Sequence, residues 1–235
     1  MPQKYSIKSY VKDGVYHVYN RGVEKRIIFV DNQDHRVFLN LLKESLLEPS
    51  LLLSYQNDTL TNKRRKDRRP KTFFERMTLL AYCLMPNHFH LMIKQCDAHS
   101  LDAFIKTICT RYAMYFNKKY HRVGKLFQSA YKAILIMDEP YFLHLSRYIH
   151  KNPIGLFPHL EDAYSSYADY LGIRRTAWLN TKIILSLFRP KLLPFLKNTT
   201  TYQSFIESTN GKDTWMQAIT IGEEENDNDT YRYSF

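Results

Sequence analysis

The sequence predicts an α+β sandwich, a mostly antiparallel sheet with helices packed on one face. The order of the elements carries that prediction. Within residues 14–153, segments of strand and helix character run β-α-β-β-α-β-α, and strands interspersed with two packing helices form layers of this kind. Two apolar segments, 77–84 and 88–94, are separated only by Pro86-Asn87 and its flank, a dipeptide that ends a strand and turns the chain. Beyond Ser100 the apolar residues fall at 101, 104, 105, 108, 112, 115 and 116, the spacing of one helix face.

Taken in order, residues 14–20 (GVYHVYN) read as the first strand, and Gly22 permits the turn after it. Asp31 opens a helix that carries Val37, Phe38, Leu41 and Leu42 on one side, to about Leu47. Residues 54–72 contain KRRKDRRPK and nothing that could be buried, so they read as an exposed basic insert. The two hairpin strands follow, then the long helix begun by Ser100 and Asp102. Gly124 restarts the chain, and 126–137 (LFQSAYKAILIM) reads as a further strand. Asp138 begins the last regular helix, with Pro140 in its first turn and Pro153 at its end. Residues 1–153 thus form one domain. Residues 154–235 form an accessory C-terminal region, irregular and partly helical, with a helix near 180–188 and an acidic run at 223–229 that reads as a solvated tail.

Composition narrows the partners. A chain of 235 residues with 44% hydrophobic and 14% aromatic content buries a real core. Its 34 Lys+Arg against 23 Asp+Glu leave a formal charge of +11, which makes a polyanion the first partner to consider. Eighteen Tyr and 14 Phe beside that charge suit stacking on unpaired bases. Cys83, Cys96 and Cys109 form no close pair, which speaks against a disulfide framework or a zinc knuckle. No signal-peptide core and no apolar run of membrane-spanning length occurs, so the expectation is a cytoplasmic protein with no membrane partner.

His88-Phe89-His90 is the most informative triplet. Side chains alternate along a strand, so His88, His90 and Met92 share one face and Phe89, Leu91 and Ile93 take the other. Residues two apart lie roughly 6.5–7 Å apart at Cα, close enough for both imidazoles to grip one metal ion. Spacing alone leaves metal binding and two ligand-free histidines about equally open. An H-x-H-x-D-H hydrolase is disfavoured, because Met92 and Ile93 stand where its further ligands would be. A distant element must complete any site. The helix 139–152 offers one: its polar side carries Tyr141, His144 and Tyr148, with Asn152 one turn beyond Tyr148. Phe142, Leu145 and Ile149 form its packing face. By itself Tyr148 reads rather as an amphipathic core-edge residue, the commoner fate of a tyrosine.

These residues carry a resemblance. AYCLMPNHFHLMI, GKLFQSAYKA, YFLHLSRYIHKNPIGL and AYSSYADYLG, in that order over about 14–172, resemble the single-tyrosine HUH transposases of the REP-associated and insertion-sequence type. The resemblance implies a ferredoxin-like fold. It implies that His88 and His90 bind a divalent metal, Mg²⁺ or Mn²⁺, with the Asn152 amide as a further ligand. It implies that Tyr148, in Tyr148-Ile149-His150-Lys151-Asn152, attacks single-stranded, hairpin-flanked DNA and forms a covalent 5′-phosphotyrosine. Relatives work as dimers or as monomers, so either state is expected. The alternative is a domesticated, non-cleaving regulator that binds single-stranded DNA. The basic insert departs from the compact family pattern, and the last 60 residues carry no recognisable motif. The expected DNA-facing surface comprises Lys106, Arg111, Lys118, Lys119, Arg122, Lys125 and Lys132, interleaved with Tyr112, Tyr115, Tyr120 and Tyr131, together with Arg64 and Arg65 in the insert.

Overall fold

The computed structural model describes residues 10–52, 72–196 and 199–208. Four strands, β1 (Val15–Arg21), β2 (Met77–Met85), β3 (His88–Gln95) and β4 (Lys132–Ile136), form one sheet in the order β2-β3-β1-β4. Every pairing is antiparallel. With a helix after β1 and another after β3, this is the ferredoxin-like arrangement.

The two helices expected to pack together do so on one face. The first, α1 (Asn32–Leu46), starts at Asp31, whose side chain accepts from the Gln33 and Asp34 backbone N–H groups in a capping box. The second, α2 (Ser100–Lys119), has the periodicity read above. Phe38, Leu42, Phe104, Ile108 and Tyr112 from the helices meet Tyr16, Val18, Phe89, Leu91 and Ile93 from the sheet. Large side chains fully withdrawn from water contribute about 1.5–3 kcal/mol each.

The other face is also covered. There α3 (Glu139–Lys151) sets Leu143, Leu145, Tyr148 and Ile149 against Val15, Met92 and Ile136. The C-terminal region folds over the outer side of α3 through α4 (Tyr167–Tyr170), α5 (Lys182–Leu187) and α6 (Tyr202–Glu207), and Tyr167, Tyr170, Ile184, Tyr202 and Phe205 join the same cluster. His150 ties the layers together, with Nδ1 2.9 Å from the Tyr202 hydroxyl and Nε2 2.7 Å from Ser166 Oγ. Ser166 Oγ in turn accepts from the Tyr82 backbone N–H on β2.

This covering changes the expected faces of α3. Residues 145–150 are all buried, because a helix between a sheet and a second helical layer has no solvent side. Tyr148 therefore packs inward. The strand expected at 126–137 is shorter, only Lys132–Ile136. Its first residues wrap the end of β1 instead: Gln128 N–H donates to Arg21 O, and Phe127 bridges Gly22. Among the described residues no helix is long and apolar enough to cross a membrane.

Candidate active site

The register of the sheet brings the candidate residues together. His88 and His90 stand on the α3 face of β3, opposite Arg21 and Tyr19 of β1 respectively. The same row continues to Lys132, opposite Tyr19 on β4, and the Lys132 ammonium lies 5.6 Å from the Tyr19 ring centre. From the other side α3 supplies Tyr148 and its C-cap, Asn152. The Tyr148 ring packs edge-on to His90 at 5.2 Å and to His17 at 5.8 Å between centroids. It is 8% exposed.

A chain of hydrogen bonds orients His88. Asn87 Nδ2 donates to the Lys25 carbonyl at 3.3 Å, which turns Asn87 Oδ1 toward His88 Nδ1, 2.6 Å away. An amide oxygen only accepts, so a neutral His88 carries its proton on Nδ1 and its lone pair on Nε2. Asn152 is oriented likewise: its Nδ2 donates to the Tyr148 carbonyl at 3.4 Å, and its Oδ1 faces His88 Nε2 at 3.4 Å. With His88 neutral, two acceptors face each other there, and a cation between them would satisfy both. That fits a divalent ion held by two imidazoles and an amide oxygen. Among the described residues no group of three or more His, Cys, Asp or Glu side chains could do the same.

The turn that presents the Lys25 carbonyl is strained. Glu24 and Lys25 both have left-handed backbone, at φ 55° and 57°, which costs non-glycine residues free energy. Gly22 begins the turn, and a Cβ there would lie 2.3 Å from the Arg26 carbonyl oxygen. Only glycine permits the approach.

His17, Asn87 and Arg21 are the site residues that motif reading overlooked. His17 is fully buried, and its Nε2 lies 2.9 Å from His90 Nδ1. The available signal was an ionisable residue at an inward position of an otherwise apolar and aromatic strand. Burial pushes the His17 pKa down to about 3 and holds that of His90 well below the ordinary value. Burial similarly lowers His150 to about 3.

These three imidazoles are neutral in the fold yet titrate near 6.5 when the chain unfolds. Their contribution to stability is complete above pH 6.5 and is lost as pH falls toward 3, by about 1.4 kcal/mol per unit for each group. Chelator-treated protein should therefore lose several kcal/mol between pH 6.5 and 5, above the range in which ordinary carboxylates titrate. Urea unfolding at the two pH values measures this, and an unchanged midpoint would contradict it.

The expected DNA-facing cations separate into two groups. Lys119 is held by Asp31 at 2.6 Å and by the buried Asp34 at 2.8 Å, and Arg111 pairs with Glu44 at 2.6 Å. Both tie α2 to the α1 layer. Lys106 pairs with Asp102 on the surface, while Arg122 lies over Phe116 and donates to Asn117. Lys118, Lys125 and Lys132 are exposed. Of the interleaved tyrosines, Tyr112 is buried and donates to the Ile28 carbonyl. Tyr115 and Tyr120 donate to Asp34, and Tyr131 to Asp102. These hydroxyls anchor the fold. Arg64, Arg65 and the rest of the basic insert lie outside the described residues, as does the acidic run.

A family model described as "Transposase IS200 like" matches residues 69–152, the stretch from before β2 to Asn152. This segment is similar to IS200-like transposases. It contains the histidines of β3 as well as Tyr148 and Asn152. Solved structures similar to this chain include a REP-associated tyrosine transposase bound to a REP hairpin. That chain is 13% identical, with a TM-score of 0.47, over 73% of this chain and 88% of the other. Another is a protein from Deinococcus radiodurans described as a transposase, 17% identical, with a TM-score of 0.35, over 60% of this chain and 92% of the other. No curated protein matches the chain.

Proposed function

We propose that this protein is a transposase that cleaves and rejoins single-stranded, hairpin-flanked DNA through a covalent 5′-phosphotyrosine on Tyr148, with His88, His90 and Asn152 holding a divalent ion, Mg²⁺ or Mn²⁺. The observation that carries the proposal is the meeting of the Tyr148 ring with His90, beside the His88 Nε2–Asn152 Oδ1 gap. When bound, the ion supplies Lewis-acid stabilisation of the charge that builds on the scissile phosphate. His88, oriented by the Asn87 side-chain amide, and Asn152, oriented by the Tyr148 carbonyl, would keep their donor atoms aimed at it. Tyr148 Oη forms a bond to phosphorus as the bond from phosphorus to the 3′ oxygen breaks; the phenol gives up its proton and the leaving oxygen gains one. The phosphodiester energy stays in the protein–DNA bond, so the 3′-hydroxyl of a new strand can reverse the step. Tyr148 packs edge-on against His90 and His17, which would hold the nucleophile in place before substrate arrives.

The test uses a hairpin oligonucleotide labelled on either side of the cut. In this mechanism only the label 3′ of the cut migrates with denatured protein, and only with Mg²⁺ or Mn²⁺ present. A water nucleophile would cut without attachment, and a non-cleaving regulator would bind without cutting; either result would overturn the proposal.

Lys125 and Lys132 belong to the exposed rim of the site in this reading. Changing both to Gln should weaken binding about equally for specific and scrambled oligonucleotides. The log–log salt dependence should flatten by ~0.7 for each phosphate of single-stranded DNA that the protein no longer neutralises. Arg64 and Arg65 are proposed to act in the same way. Titrations at several salt concentrations decide this, and an unaltered slope removes these residues from the interface.

A further inference from the structure

We propose that His17 is a positioning residue for the ion site: its Nε2 accepts the Nδ1 proton of His90 and so directs the Nε2 lone pair of His90 to the ion. The inference rests on the reading of His88, His90 and Asn152 as the donor set.

The two rings lie on neighbouring strands, both fully buried, with 2.9 Å between His17 Nε2 and His90 Nδ1. Their planes are 22° apart. A hydrogen bond between two neutral imidazoles contains one proton, which can belong to either ring. If it belongs to His17, the proton of His90 must sit on Nε2, where it blocks a metal. If it belongs to His90 Nδ1, the Nε2 lone pair is available. Only the second arrangement makes His90 a ligand. His88 has the corresponding device, since Asn87 Oδ1 takes its Nδ1 proton. Each candidate histidine ligand is therefore tied at Nδ1 by a partner able to accept, one an amide and the other an imidazole.

The second arrangement leaves the proton of His17 on its own Nδ1, a buried atom with no hydrogen-bond partner among the described residues. A buried donor in that state is unfavourable, so nothing in the packing of His17 rewards this tautomer except a cation on His90. The role is thus directed at the ion. A histidine retained for packing alone would be served as well by a phenyl ring in the same space between Tyr19, His90 and Tyr148.

That contrast supplies the experiment. His17→Phe keeps the ring and removes the acceptor, whereas His17→Gln keeps an acceptor and removes the ring. Calorimetric titration of each full-length protein with Mn²⁺ alone, beside hairpin binding in chelator and thermal melting, reads both roles. The Phe variant should bind Mn²⁺ about 10–100-fold more weakly, the usual scale for an outer partner of a ligand, while melting near wild type and still binding the hairpin. The Gln variant should melt lower and yet recover most of the Mn²⁺ affinity. A Phe variant that binds Mn²⁺ like wild type, or a Gln variant that is the weaker binder, would overturn the role of His17 alone. Wild-type protein that takes up no Mn²⁺ would overturn the donor set, and this inference with it.

Discussion

Tyr148→Phe is expected to abolish strand cleavage and the covalent adduct, with a rate loss of at least about 10³-fold, the scale on which removing a nucleophile acts. Hairpin binding should be unchanged. The substitution deletes one oxygen from a ring that is 8% exposed and packed against His17 and His90. Stability should therefore move by no more than about 1 kcal/mol, the ordinary net value of one hydroxyl interaction. Single-turnover cleavage of a labelled hairpin, beside an equilibrium melt of the same preparation, checks both halves. A Phe variant that still nicks would transfer the nucleophile's role to water or to another tyrosine.

His88→Ala and His90→Ala should each remove ion-dependent cleavage and measurable Mn²⁺ binding, but their side effects should differ. His88 is only partly buried, so its loss should leave the fold close to wild-type stability. His90 is fully buried and hydrogen-bonded to His17, so its loss opens a cavity and leaves an imidazole unsatisfied. About 2–4 kcal/mol of destabilisation is expected from that combination. Asn152→Ala removes one amide donor but leaves both imidazoles oriented, so Mn²⁺ affinity should fall by less than in either His variant. Calorimetry with Mn²⁺ and denaturant unfolding give these values. Equal Mn²⁺ binding by wild type and a His88→Ala/His90→Ala double variant would contradict the donor set.

Much of the fold was legible because its signals are local. The apolar spacing from Leu101 to Phe116 defines α2 in any context, and Pro86-Asn87 marks the hairpin between β2 and β3. The alternation in His88-Phe89-His90 puts both imidazoles on one face, as the register shows. What was not legible depends on partners distant in sequence. The burial of α3 on both sides comes from a C-terminal layer whose residues, such as Tyr202 and Phe205, carry no recognisable motif. Residues 126–131 have strand-like composition but are drawn around the end of β1 by Arg21 and Gly22. Charge was the least informative feature. Lys119 and Arg111 look like DNA-binding groups in a basic helix until Asp34 and Glu44 are seen opposite them. His17 was missed because a single histidine in a strand has no spacing to read; its meaning is the hydrogen bond with His90, 73 positions away.

The chemistry proposed for this domain is tested most directly by locating the DNA on the protein. Wild-type protein incubated with a hairpin oligonucleotide and Mn²⁺, denatured, digested with nuclease and protease, and analysed by mass spectrometry should yield one modified peptide. That peptide should contain Tyr148, with a nucleotide joined through its 5′ phosphate to the phenolic oxygen, and should be absent when chelator replaces the ion. Attachment at Tyr141 or Tyr131 instead, or cleaved DNA with no modified peptide, would contradict the account.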